Sequence, residues 1–262
     1  MLIRRASGRG EIRQRCAIAV MAKASIAGVT KTRLVPPLSF EQAAAMNTAF
    51  LADIADNLMQ AAERAPIDAY MAFGPPGSAP FFEDHMPGAV GLIETWFPDF
   101  GACLYHAVDV LLGLGYGAAC VLNSDSPTLP TSWLVETAEA LARPGDRIVL
   151  GPSTDGGYYL LGMKTRHHRL FEDITWSTEH VARETRERAQ ELGLDTVMLP
   201  PWYDIDDAEA LDTLIGETQR GERFAPDVKA HDARHSATTL RRLGLAPGFG
   251  PQLRARALRA AP

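Results

Sequence analysis

Short apolar runs alternate with amphipathic helical stretches along most of this chain, and that alternation leaves few folds open to it. The first run, CAIAVMA at residues 16–22, is continuous and partly β-branched, the pattern of a buried strand. After a loop, residues 39–65 open with Ser39 as an N-cap and place Met46, Phe50, Ile54 and Leu58 at helical spacing. Further strands are expected in IDAYMAFG (67–74), GAVGLIE (88–94), AACVLN (118–123), DRIVLGP (146–152), GYYLLGM (157–163) and DTVMLP (195–200). Helices are expected within 101–115, 131–142, 177–193 and 208–220, and the Pro/Gly-rich GPPGSAP at 74–80 reads as a turn. Strands and helices alternating at these lengths predict an α/β fold, a mostly parallel sheet with helices on both faces.

Composition narrows the function classes. With 262 residues, 46% hydrophobic and 22% charged, the chain can bury a large core, and its formal charge of −6 argues against a nucleic-acid-binding surface. Anion binding should therefore be local. Cys16, Cys103 and Cys120 are too few and too far apart for a disulfide framework, so they are expected as buried small hydrophobes in a reducing cytoplasm. No apolar run approaches the roughly 18 to 20 residues that cross a bilayer, so no membrane span is expected.

Residues 1–15 are Arg-rich and lack the apolar stretch of a secretory signal, which suggests a disordered leader or an early start codon. Residues 16–219 are expected to form one domain. Residues 220–262, rich in Arg, Ala and Pro, read as a partly helical or disordered tail. His231 and His235 could share a helical face there, with a solvated polar surface favoured because no third metal ligand is evident. GLGYG (113–117) lacks dinucleotide-fingerprint spacing and lies between a helix and a strand, so it reads as a helix end and turn.

Ligands of such sheets bind beyond the carboxyl ends of the strands. Three loops qualify. KASIAGVTKTRL (23–34) places Lys31 and Arg33 behind the first strand, where two cations suggest an anion unless the loop is merely solvated. SDSPTLP (124–130) places Asp125 just past a strand, where it can hold a divalent cation or make an Asx-turn with its own backbone. STDGGYY (153–159) presents Asp155 before Gly156 and Gly157, either as an ordinary Asp-Gly hairpin or as the border of a pocket. Tyr158 and Tyr159 then point to opposite faces, so one can be core while the other lines a cleft. Trp176 can stack on a sugar or pack beneath the following helix. Far along the chain, Asp204, Asp206 and Asp207 precede a helix, and capping needs only one of them.

The segments MAKASIAGVTKTRL, NSDSPTLP, GPSTDGGYYLLGM, LFEDITWST and YDIDDAEAL, in this order, resemble the bacterial DUF2064 family, the arsenosugar-biosynthesis-type glycosyltransferases of the GT-A (nucleotide-diphospho-sugar transferase) superfamily. The resemblance spans about residues 17–214. A related branch, the 2-phospholactate guanylyltransferases, shares the K-T-R-L loop. The resemblance implies a GT-A fold with Lys23, Gly28, Lys31, Arg33 and Ser124 at the nucleotide phosphates. It implies Asp125 and Asp206 as ligands of Mg²⁺ or Mn²⁺, with Asp204 as a nearby substitute. Asp155, Gly156, Gly157, Tyr158 and Trp176 would border the acceptor or sugar pocket, and Asp155 is the candidate catalytic base. Ser25, Trp96, Cys103 and Asn123 depart from residues usual in the family, namely Pro, Gln, Arg and Gly.

The expected function is metal-dependent transfer of a sugar from a nucleoside diphosphate donor to a small-molecule acceptor. One alternative is nucleotidyl transfer from a nucleoside triphosphate with release of pyrophosphate. Another is a non-catalytic nucleotide-binding protein on the same scaffold.

Overall fold

The computed structural model describes residues 1–8 and 10–245. The remaining tail residues, 246–262, lie outside the described part, so the expectation for the tail is tested only up to 245.

Among the described residues, eight strands form one sheet: β1 (Leu2–Arg4), β2 (Cys16–Lys23), β3 (Ile67–Gly74), β4 (Gly91–Glu94), β5 (Ala118–Leu122), β6 (Arg147–Pro152), β7 (Tyr158–Met163) and β8 (Asp195–Met198). Their spatial order is β1-β4-β3-β2-β5-β7-β6-β8. The pairs β2/β3, β2/β5, β3/β4 and β6/β8 are parallel, whereas β7 runs antiparallel to both its neighbours and β1 antiparallel to β4. The mixed α/β architecture is the expected one.

Side-chain alternation divides the core between the two faces of the sheet. Ile18 and Val20 of β2 face one side, with α1 (Phe40–Ala62), α4 (Thr131–Ala142) and α6 (Ala208–Ile215) packed over them. Ala17 and Ala19 face the other, under α3 (Phe100–Gly113) and α5 (Val181–Glu191). Ser39 caps α1 through a reciprocal capping box with Gln42, which satisfies two backbone donors at the helix start. Among the described residues no helix is long and apolar enough to cross a membrane.

Two expectations, the disordered leader and the solvated face of His231, need correction, and two helices add to what the sequence placed. The leader is not without structure: Leu2–Arg4 form an edge strand on β4, and Arg4 Nε donates to Val90 O at 2.9 Å. A short helix, α2 (Ala79–His85), follows the Pro-rich turn; seven residues with Pro80 in its first turn carry too little periodicity to be read from sequence. In the tail, α7 (Arg234–Arg242) docks on α1 because the fully buried Asp53 accepts from Ser236 N at 2.7 Å and His235 N at 2.8 Å. His231 precedes that helix and is buried, hydrogen-bonded between Gln60 and Pro127 O, so it shares no solvated face with His235. The GLGYG segment does end α3, with Gly115 at φ +99°.

Candidate nucleotide-binding site

From β2 the chain proceeds outward through β3 and β4, then returns to place β5 on the other side of β2. This is a topological switch point, and the loops after β2 and β5 diverge there to leave a crevice. A cavity of about 410 Å³ opens at this place. Lys23, Lys31, Arg33, Asn123, Ser124, Asp125, Tyr158 and Asp206 line it from the β2, β5 and β7 side. Gly74, Thr95, Trp96, Phe100 and Cys103 line it from the β3 and β4 side.

The loop after β2 is wound around Thr30, whose buried hydroxyl meets Ala24 O and Ile26 O at 3.1 and 3.0 Å and accepts from Ile26 N at 2.7 Å. Gly28 at φ +78° makes the turn possible, with open space where a Cβ would stand, so backbone conformation alone calls for glycine. Asn47 of α1 pins the loop by donating to Lys23 O and Ser25 Oγ, a role that sequence reasoning missed. Its only signal was a polar residue on the apolar face of an amphipathic helix.

The winding delivers Lys31 to a pair of carboxylates and not to open solvent. Nζ lies 2.8 Å from Asp125 Oδ1, 2.9 Å from Asp206 Oδ1 and 2.8 Å from Ile205 O. Burial works against this ammonium, yet Asp125 and Asp206 outweigh it and hold its pKa above the ordinary lysine value. Arg33 reaches Asp206 Oδ2 at 3.3 Å and is 77% exposed, while Lys23 is exposed and forms no ion pair among the described residues. The expected phosphate ligands thus fall into two groups, with Lys23 and Arg33 free to meet an anion and Lys31 engaged.

Asp125 and Asp206, 81 positions apart in sequence, meet because the segments around them are stitched together. Ile205 N donates to Asp125 O at 2.8 Å, and Ser126 Oγ donates to Tyr203 O at 2.9 Å. Asp207 is the cap, accepting from Glu209 N and Ala210 N, which leaves Asp204 and Asp206 for other work. Asp204 is half-buried, and burial, followed by the charges of Asp155, Asp206 and Asp125, pushes its pKa up to about 7. Among the described residues no set of three or more His, Cys, Asp or Glu side chains is arranged as a ready metal centre. The donors nonetheless suit a hard cation: two carboxylates converge on one position that a positive charge already fills.

STDGGYY is a hairpin turn, with Ser153 N donating to Gly157 O at 2.9 Å. Gly156 adopts φ +92°, and a Cβ there would lie 2.2 Å from Glu179 O, so this position is doubly restricted. At Gly157 a Cβ would meet only the Asp155 carboxylate, at 3.2 Å, so this glycine guards the placing of Asp155 more than an open cleft. Asp155 accepts from Gly157 N at 2.9 Å and stands close enough to Asp204 to raise its pKa.

Tyr158 and Tyr159 both border the cavity, and Tyr159 is fully buried in the core. Trp176 lies outside this cavity's lining: it packs edge-on to Phe100 and against Gly101, where a Cβ would lie 2.9 Å from the indole, and it borders a second cavity with Asp99, His168 and Phe171. Asn123 Oδ1 and Tyr158 OH are buried without hydrogen-bond partners, and both residues border the cavity. Trp96 covers Gly74, and Cys103 is buried with its Sγ accepting from Phe97 N. Cys16 and Cys120 lie in the core with sulfurs 3.5 Å apart, the small-hydrophobe role expected of them.

Residues 57–178 match the model of a family described as "Uncharacterized protein conserved in bacteria (DUF2064)". The DUF2064 resemblance is borne out. The DUF2064 segment holds Asp125, Asp155, Tyr158 and the departures Trp96, Cys103 and Asn123, while the loop after β2 and Asp204 to Asp206 lie outside it.

A solved protein of Desulfovibrio desulfuricans G20, provisionally described as a nucleotide-diphospho-sugar transferase, superposes with a TM-score of 0.76 at 22% identity, over 91% of this chain and 97% of its own. A cytidylyltransferase from Leptospira borgpetersenii serovar Hardjo-bovis (strain JB197) gives 0.51 at 10% identity, over 88% and 95%. A CMP:2-keto-3-deoxy-manno-octonic acid synthetase complexed with CTP gives 0.50 at 10%, over 76% and 96%. These likenesses show the nucleotide-diphospho-sugar transferase fold. No curated protein matches the sequence.

Proposed function

We propose that the chain is a cytoplasmic transferase that moves a sugar from a nucleoside diphosphate donor to a small-molecule acceptor with the aid of Mg²⁺ or Mn²⁺. The observation that carries this reading is the convergence of Lys31, Arg33, Asp125 and Asp206 beside a cavity at the switch point of the sheet. Asp125 and Asp206 would hold the cation, with Asp204 beside them, and the bound cation would neutralise the leaving diphosphate. Lys23 and Arg33 bind phosphate oxygens, Arg33 through two parallel bonds from its planar fork. Gly28 and Ser124 shape the phosphate end of the pocket.

Asp155 and Asp204 would stand on the acceptor side. Burial first, and then the charges of Asp155, Asp206 and Asp125, raise the Asp204 pKa to about 7, which suits it to take up the acceptor's hydroxyl proton. This extends the expectation for Asp155 alone. Tyr158 would border the sugar, with Gly156 and Gly157 shaping the turn that presents Asp155.

Nucleotidyl transfer is the second reading, favoured by the fold's likeness to a cytidylyltransferase and to a synthetase solved with CTP. The same cations and carboxylates serve it, and its donor is a nucleoside triphosphate. Incubating the protein with nucleoside diphosphate sugars and with nucleoside triphosphates, each with Mn²⁺ and candidate acceptors, separates the two. Free nucleoside diphosphate supports sugar transfer, and pyrophosphate supports nucleotidyl transfer. Tight nucleotide binding without turnover or metal requirement would make the chain a binding protein.

A further inference from the structure

An ammonium group has three hydrogens to donate. In Lys31 three acceptors use them: Asp125 Oδ1, Asp206 Oδ1 and Ile205 O, all within 2.9 Å of Nζ. The side chain is 7% exposed and sits at the end of a loop held by Thr30 and Asn47. A phosphate oxygen can therefore reach Nζ only by replacing one of these acceptors. A divalent cation faces the mirror-image restriction, because bound at about 2.1 Å to the same two carboxylates, through either oxygen of each, it would stand within a few ångströms of the ammonium. Two cations that close in a half-buried site repel strongly. Lys31 and the metal therefore compete for the same two carboxylates, and a phosphate competes with those carboxylates for Lys31.

We propose that Lys31 is an internal cation that holds Asp125 and Asp206 until a diphosphate draws it away, so that the divalent cation enters with the diphosphate and not before it. The inference rests on the nucleotide-binding reading of this site. Arg33 and Lys23 are placed to begin the exchange, since both are exposed and Arg33 has only one 3.3 Å bond to Asp206. They capture the diphosphate from solvent. Lys31 then trades carboxylate oxygens for phosphate oxygens and keeps a counter-charge throughout, which a buried ammonium requires. The two vacated carboxylates lose their internal cation at the moment the diphosphate brings more negative charge, and a divalent cation satisfies both.

The test is Mn²⁺ binding to the full chain, read from the electron paramagnetic resonance signal of free Mn²⁺, with Mn²⁺ alone and with Mn²⁺ plus pyrophosphate. After allowance for the Mn²⁺–pyrophosphate complex in solution, the parent should bind Mn²⁺ at least tenfold more tightly when pyrophosphate is present. Lys31→Met, which keeps an unbranched stem beside Phe50, should bind Mn²⁺ alone at least tenfold more tightly than the parent. Asp125→Asn in the Lys31→Met background should remove that gain. Equal affinity of the parent and Lys31→Met for Mn²⁺ alone overturns the proposal. So does a parent whose Mn²⁺ affinity ignores pyrophosphate, a measurement that stands even if Lys31→Met fails to fold. A parent that binds neither Mn²⁺ nor pyrophosphate in any combination overturns the nucleotide-site reading as well.

Discussion

Two charge clusters lie at opposite ends of the same parallel strands, and their stoichiometry differs. At the amino ends, Arg15 meets Asp68 in a two-pronged pair, Nε to Oδ2 at 3.0 Å and Nη2 to Oδ1 at 2.6 Å. Tyr116 OH adds a third bond to Asp68 at 2.8 Å, and Tyr70 OH lies 3.0 Å from Tyr116 OH. Among the described residues one cation faces one carboxylate, and both are nearly enclosed. At the carboxyl ends, Asp125 and Asp206 share a single buried lysine, Asp204 feels the charges of both and of Asp155, and Arg33 is largely in water. The first cluster is balanced and complete, as a buried pair must be to justify its desolvation. The second holds surplus negative charge, a carboxylate with a raised pKa and unpartnered polar atoms in its wall, the signature of a place that awaits a ligand.

The hardest way to break this contrast is to cut the balanced pair. Asp68→Ala takes the carboxylate away from a mostly buried guanidinium, which costs about 3–5 kcal/mol, or a fall in Tm on the order of 10 °C for a chain of this size. Nucleotide affinity, measured by calorimetry below the transition, should stay at the parent's value. A variant that loses affinity in step with stability would make the two ends one functional unit.

Asp125→Asn should do the reverse. Mn²⁺-dependent nucleotide binding should weaken about a hundredfold, ~2.7 kcal/mol, while Tm moves far less than in Asp68→Ala. Unchanged Mn²⁺-dependent binding would remove Asp125 from the site.

Asp204 sharpens the comparison through pH. Its folded pKa is raised to about 7, so between roughly pH 4 and pH 7 the folded state keeps a proton that the unfolded chain has released. Stability from this group is therefore fully present below pH 4 and is lost as pH rises through 7. In thermal melts from pH 5 to pH 8, Asp204→Asn should lose less Tm than the parent. Parallel curves would mean that Asp204 ionises as an ordinary carboxylate.

The smallest effect belongs to Arg33→Lys. It keeps the charge at an exposed position and loses the planar fork, so nucleotide affinity should fall severalfold, about 0.5–1 kcal/mol, with Tm unchanged. If both Arg33→Lys and Arg33→Ala bind nucleotide like the parent, Arg33 belongs to the solvent and not to the site.

Much of the fold was legible because its signals are local. Strand and helix periods, the Ser39 cap and the turn glycines each depend on a few neighbouring residues, and residues 67–74 and 131–142 were read to their ends. The edge strand β1, the short α2 and the docking of α7 were not legible. Two depend on a partner far away, Gly91–Glu94 for β1 and Asp53 for α7, and α2 is too short to show a period.

The same division runs through the site. Sequence alone determined which residue types stand just past which strands, because that follows from hydrophobic pattern and from where a parallel sheet binds ligands. Only the tertiary structure decided what those residues face. It turned Lys31 onto Asp125 and Asp206, brought Asp204 beside Asp155, and withdrew Trp176 into packing on Gly101. The physical reason is that charge pairing and burial depend on distance in space, and segments 81 positions apart, such as those of Asp125 and Asp206, become neighbours only when the backbone between them has folded.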